Sequence, residues 1–194
     1  NRAAVLDDVS ASSFLQVLEQ TAAQNDVDVR TSCDIKTAVS TAVQISRFIH
    51  YYDKLIEVSI VPAPREEGLT LEEVTKVAEG AGFVSASGRW ELRLAVDDID
   101  PVMTLAFGPN QTKSLTLALS LPLANLARGD LKRFFAIANS LSAALNGIWT
   151  DCAARPIDAG GAMQIAEKIA SQAKLMSAGG VTPASERAKL LFSH

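Results

Sequence analysis

The residues able to do chemistry are few. His50 and His194 are the only histidines in the 194-residue chain, so a histidine-activated nucleophile or a metal cluster would rest on His50. A lone imidazole at a helix end reads as a capping or surface residue. Cys33 and Cys152 are too few for a disulfide framework or a zinc site and read as two partly buried cytosolic thiols. Acidic pairs occur at Asp7-Asp8, Glu66-Glu67, Glu72-Glu73 and Asp97-Asp98. Carboxylate catalysis needs pKa values driven apart by burial, and these pairs read as solvated acids in loops or, for Glu72-Glu73, in a helix first turn. There is no G-x-S-x-G, P-loop or dinucleotide fingerprint. Gly80-Ala81-Gly82 leads from a helix into a strand, the reverse of the order that aims amides at a phosphate. Asn110-Gln111-Thr112 fits a glycosylation pattern, a three-residue match read as accidental. These residues predict no enzyme, no cofactor, no metal and no small-molecule substrate.

Trp149 follows a helix stop beside Ile148 and reads as core. Trp90 lies among Arg89, Glu91 and Arg93, and two readings stand for it. One is core packing, because Leu92 and Leu94 share its parity. The other is an anchor on a binding surface, where Trp and Arg commonly concentrate.

The composition narrows the partners. Hydrophobic residues make up 48% of the chain and charged residues 21%, which suits a packed globular core. The net charge of −4, from 18 basic and 22 acidic residues, does not suit a nucleic-acid surface. No run approaches the ~20 apolar residues that a membrane span requires. The start, Asn1-Arg2-Ala3-Ala4, lacks the form of a signal peptide and an initiator Met. The chain therefore reads as a soluble piece of a longer protein, with any membrane anchor upstream of Asn1.

The elements follow from periodicity and punctuation. Ser13-Phe14-Leu15-Gln16 has capping-box form and predicts a first helix, with Phe14, Val17, Leu18 and Ala22 at helical spacing. Asp34 predicts the cap of a second helix running to Tyr52. Ile56, Val58 and Ile60 then alternate as a strand, and Thr70-Leu71-Glu72-Glu73 opens a short helix with Leu71, Val74, Val77 and Ala78 inward. Strands follow through Trp90-Leu92 and Met103-Leu105-Phe107. The cleanest one has Leu115, Leu117, Leu119 and Leu121 on one face, with Ser114, Thr116, Ala118 and Ser120 on the other. Its leucines are expected beneath helices Asp130–Asn146, capped by Asp130, and Ala159–Met176. Between these lies a short strand, Ile148-Trp149-Thr150. Thr182-Pro183 predicts a last helix from Pro183 to Phe192. The order predicts an α+β fold, a mainly antiparallel sheet with helices on one face.

From residue 55 onward, successive phrases resemble the C-terminal, FtsZ-binding domain of the ZipA family. They are the strand Leu55–Val61, Ala81-Gly82-Phe83, Gly88-Arg89-Trp90-Glu91-Leu92, Leu105-Ala106-Phe107, Leu115–Pro122, Gly129-Asp130-Leu131 and Asn146-Gly147. The flanking helices are similar to those of the larger ZipA-like proteins of β-proteobacteria. The resemblance implies a helical N-terminal extension over 1–54, a split β-α-β ZipA-like domain over 55–178 and a short C-terminal helix over 179–194. It implies that an open sheet face holds the C-terminal tail of FtsZ, and that an N-terminal anchor keeps the protein on the cytoplasmic side of the inner membrane, in septum assembly. Carried over from Gly88 and Pro122, the partner-binding positions fall on Arg89, Trp90, Glu91, Ala106, Thr116, Ala118 and Ser120. The family makes most of these positions bulky and apolar, whereas here only Trp90 is. A tail bound to such a face forfeits about 1.5–3 kcal/mol per large side chain lost. The competing expectation is a structural or self-association domain, its sheet face covered by its own helices, that does not bind FtsZ.

Overall fold

The computed structural model describes residues 6–64, 67–94, 100–109 and 111–193. Glu66, Asp97-Asp98, Asn110, His194 and the first residues, all considered above, lie outside the described residues. The chain divides into two compact units, one ending at Tyr51 and the other beginning at Tyr52.

The first unit carries helices α1 (Asp8–Gln24) and α2 (Ile35–Tyr52). Helix α1 begins earlier than Ser13. The Asp7 carboxylate accepts the Ser10 N–H at 2.7 Å, which leaves Ser13 and Gln16 inside the helix. A carboxylate is a strong cap because it also meets the positive end of the helix dipole. Asp34 caps α2 by accepting the Thr37 N–H at 2.8 Å, as its position suggested. Hydrogen bonding from Ser10 to Asp7 and from Thr37 to Asp34 holds both carboxyls below the ordinary range. Cys33, in the connection, is exposed rather than partly buried, and so is Cys152 in the second unit. Both sit in polar turns that offer no apolar layer to enter.

The second unit is α+β. Its strands are β1 (Leu55–Val61), β2 (Val84–Ala86), β3 (Arg89–Leu92), β4 (Met103–Gly108), β5 (Gln111–Ser120) and β6 (Ile148–Thr150). They form one open antiparallel sheet in the order β2-β3-β4-β5-β1-β6. The helices are α3 (Leu71–Gly80), α4 (Asp130–Ala144), α5 (Ala159–Ala178) and α6 (Glu186–Phe192). Thr70 caps α3 where the sequence places it, and Asp158 caps α5 by accepting the Gly161 N–H. Leu71, at the first position of α3, points outward and is 66% exposed, while Val74 and Ala78 are buried. Two other caps differ from expectation. Gly129, in the left-handed region at φ 90°, precedes α4, and Asp130 instead accepts the Asn125 N–H at 2.6 Å. Ala184, at φ 58°, interrupts the chain after Pro183, so α6 starts late, with Ser185 accepting the Ala188 N–H.

One face of the sheet is a continuous apolar layer. Val58, Leu117 and Leu105 are registered neighbours across β1, β5 and β4, and Leu105 continues the row to Trp90 on β3. Val74 and Ala78 of α3 and Phe134, Ile137, Ala138 and Leu141 of α4 complete this cluster. Leu115, Leu117 and Leu119 belong to it, whereas Leu121 packs against Ile169 and Ala173 of α5. Trp149 is buried in the cluster with α4, its ring centroid 5.7 Å from that of Phe135. Among the described residues no helix is long and apolar enough to cross a membrane.

The turn from α4 into β6 depends on a glycine. Asn146 takes φ 49°, and the Gly147 N–H donates to the Ser142 carbonyl at 2.8 Å. A Cβ at Gly147 would lie 2.7 Å from Pro62 Cα and 2.9 Å from the Val61 carbonyl carbon, and would also meet Val61 O. Those are backbone atoms of the neighbouring strand and cannot swing aside. Gly147→Ala is expected to destabilise the unit by about 1–3 kcal/mol, the usual cost of overpacking. A melting temperature equal to the parent's would show that β6 does not approach β1 so closely.

Candidate functional site

The face opposite the apolar layer is built by the alternate residues of the same strands. Glu91, Thr104, Ala118 and Glu57 are registered across β3, β4, β5 and β1, with Val84 of β2 paired to Glu91. The next row runs Ala106, Thr116, Ser59 and Thr150. The first row crosses five strands, and four strand spacings of about 4.8 Å give it a length of about 19 Å.

All the expected partner-binding positions except Trp90 share this face. Trp90 is registered with Leu105 and is 2% exposed, so it belongs to the opposite, helix-covered layer. Its ring meets that of Phe107 edge-on, at 5.7 Å and 65°. Side chains alternate along a strand, so Trp90 cannot share a face with both Arg89 and Glu91. Its indole Nε1 is buried with no hydrogen-bond partner, a cost accepted for burying the ring.

The remaining positions form a shallow trough. Its floor is Thr104, Ala106, Thr116, Ala118 and Ser120, all short side chains. Ala118 is 4% exposed, its methyl lying between registered Thr104 and Glu57, while the other four are half-buried. On the β3 side a charged row rises above the floor. Glu91 accepts from Arg89 Nε at 2.9 Å and Nη2 at 2.8 Å through Oε1, and pairs with Arg93 Nη2 at 2.9 Å through Oε2. The Glu91 side chain is 9% exposed, against 51% for Arg89 and 44% for Arg93. One carboxylate thus holds two guanidinium groups. Exposed Glu57 stands on β1 at the other side. The trough therefore runs between this ion-paired row and the acidic Glu57.

The carried-over positions omit apolar residues of this face, Val84 and Leu55 among them. Val84, paired with Glu91, is 65% exposed, and Leu55, paired with Ser120, is 55% exposed. Parity could have found Leu55, since it is out of phase with Ile56, Val58 and Ile60. Val84 had no such signal, because its strand is three residues long. On β6, Thr150 is buried and its Oγ1 has no hydrogen-bond partner among the described residues, while Ile148 on the same face is 51% exposed.

The trough offers short hydroxyls, methyls, the ion-paired carboxylate of Glu91 and the exposed carboxylate of Glu57. Among the described residues no group of three or more His, Cys, Asp or Glu could hold a metal ion. His50 lies outside this unit, near the end of α2. What the arrangement can do is recognise an extended segment by shape and charge. No protein-family model matches the chain, and no curated protein matches it in sequence.

Proposed function

We propose that the second unit is a protein-binding module of the ZipA-like kind, which receives the C-terminal tail of FtsZ in the trough on β4 and β5 and serves bacterial cell division at the inner membrane. The observation that carries this reading is the trough of short residues between the Arg89–Glu91–Arg93 row and Glu57. The residues brought over from the family, apart from Trp90, line it. The reading assigns the chain no catalysis, no cofactor and no nucleic acid.

Recognition in this reading is mostly electrostatic. An acidic group of the tail meets Arg89, small side chains settle over Ala106 and Ala118, and Val84 and Leu55 supply apolar ground at the ends. With Trp90 withdrawn, no large aromatic anchor remains, so the dissociation constant is expected at about 10 μM or weaker, no more than about 7 kcal/mol. The contacts are half-exposed, and added salt screens them over about 8 Å at physiological strength.

Calorimetric titration of a FtsZ tail peptide into the chain tests this. The expected result is weak binding that fades as salt is raised. Arg89→Gln should weaken it several-fold without unfolding the sheet, since Arg93 still holds Glu91. Thr116→Arg, which fills the trough, should abolish it. Absence of binding at millimolar peptide, or unchanged affinity in Thr116→Arg, would overturn the reading.

A further inference from the structure

The ion pairs on β3 indicate which group of the bound segment is read there, and how. Resting on the reading of the trough given above, we propose that Arg89 takes a carboxylate of the tail across its two Nη atoms, and that Glu91 is the positioning residue that holds the guanidinium ready for it.

A guanidinium offers a side edge, Nε with Nη2, and an outer edge, the two Nη atoms. In Arg89 the side edge is taken: Nε and Nη2 donate to Glu91 Oε1 at 2.9 and 2.8 Å. The Nη1 donors and the second Nη2 donor have no partner among the described residues, and the side chain is 51% exposed. The outer edge is therefore left for a ligand. Two parallel donors in one plane match the two oxygens of one carboxylate, whereas the single oxygen of an amide or hydroxyl meets half of them.

The hold on Arg89 is built from below. The Glu91 side chain is 9% exposed, and its other oxygen, Oε2, takes Arg93 Nη2 at 2.9 Å. Its backbone is paired on both sides, to Val84 of β2 and Thr104 of β4. A carboxylate fixed by two strands, by burial and by Arg93 does not turn with Arg89, so Arg89 keeps one orientation. The Arg89 backbone is itself registered with Ala86 in the β2–β3 hairpin. A long cationic side chain without such a hold would be immobilised only on binding, which lowers affinity about two- to tenfold.

Charge and positioning give opposite signs for Glu91. Acting through its charge alone, Glu91 would compete with the ligand's carboxylate for Arg89, and its removal would tighten binding. Acting as a positioning residue, it supports binding, and its removal weakens binding although the chain becomes less negative.

Calorimetry with a FtsZ tail peptide separates the two. Glu91→Gln keeps the size of the side chain and should weaken binding about two- to tenfold. Arg89→Lys keeps the charge but has no outer edge, and it should lose as much affinity as Arg89→Gln. A tail peptide with its Asp and Glu changed to Asn and Gln and its C-terminus amidated should bind the parent and Arg89→Lys alike. Ordering is read without ligand from the Arg89 Nε–H in nuclear magnetic resonance, which should exchange slowly in the parent and fast in Glu91→Gln. Absence of binding by the parent chain would overturn the trough reading and this inference with it. Where the parent binds, equal or tighter binding by Glu91→Gln, or parent affinity in Arg89→Lys, would overturn this inference and leave the trough standing. Equal Nε–H exchange in the parent and in Glu91→Gln would overturn the positioning role. Should Glu91→Gln fail to fold, Arg89→Lys and the neutral peptide decide.

Discussion

Trp90→Ala is expected to destabilise the second unit by about 3–5 kcal/mol, the range for removing a buried large aromatic. The residue is 2% exposed, in register with Leu105, and edge-on to Phe107 at 5.7 Å. Truncation would leave a cavity at the β3 end of the apolar layer, where the surrounding strands cannot collapse. Trp90→Phe should behave very differently. It keeps one aromatic ring in the layer and removes a buried N–H that has no partner among the described residues, so the loss should be clearly smaller than for alanine. Denaturant titration of both variants checks the pair. A loss below about 1 kcal/mol for the alanine variant would return Trp90 to the surface and make it an anchor for the tail after all.

Leu117→Ala should cost about 2–5 kcal/mol. Leu117 is fully buried at the centre of β5, with Leu105 on one side, Val58 on the other, and the side chains of α4 in the same cluster. Its neighbour Thr116 lies on the opposite face and is half-buried, so Thr116→Ala should change stability by no more than about 0.5 kcal/mol. Adjacent residues with such different costs follow from the pleat alone. If the two losses proved equal, the faces of β5 would be wrongly assigned.

Much of this architecture is readable from periodicity. Four leucines at spacing two declare the buried face of β5, and the element order follows from helix stripes and turn residues. The caps were less legible, because several polar residues compete at each helix start. Ser13-x-x-Gln16 has the form of a capping box, yet Asp7 stands a turn and a half earlier and caps more strongly. At Asp130 the carboxylate is drawn back to the Asn125 amide, and a left-handed Gly129 takes the cap position. For Trp90 two signals conflicted. Parity with Leu92 pointed inward and the neighbouring arginines pointed to a surface, and burial of the ring in the apolar layer decided it. The ion pairs of Glu91 with Arg89 and Arg93 were latent in the alternation Arg-Trp-Glu-Leu-Arg, since spacing two puts all three charges on one face. Exposed Cys33 and Cys152 carry no periodic signal, so composition alone suggested burial.

The most direct test of the trough is a titration of isotopically labelled chain with a FtsZ tail peptide, followed by amide chemical-shift changes in nuclear magnetic resonance. The account predicts that the largest changes cluster on β3, β4 and β5, at Arg89, Glu91, Ala106, Thr116, Ala118 and Ser120, and that they diminish at high salt. Changes centred on α3 and α4, or no changes at saturating peptide, would contradict it.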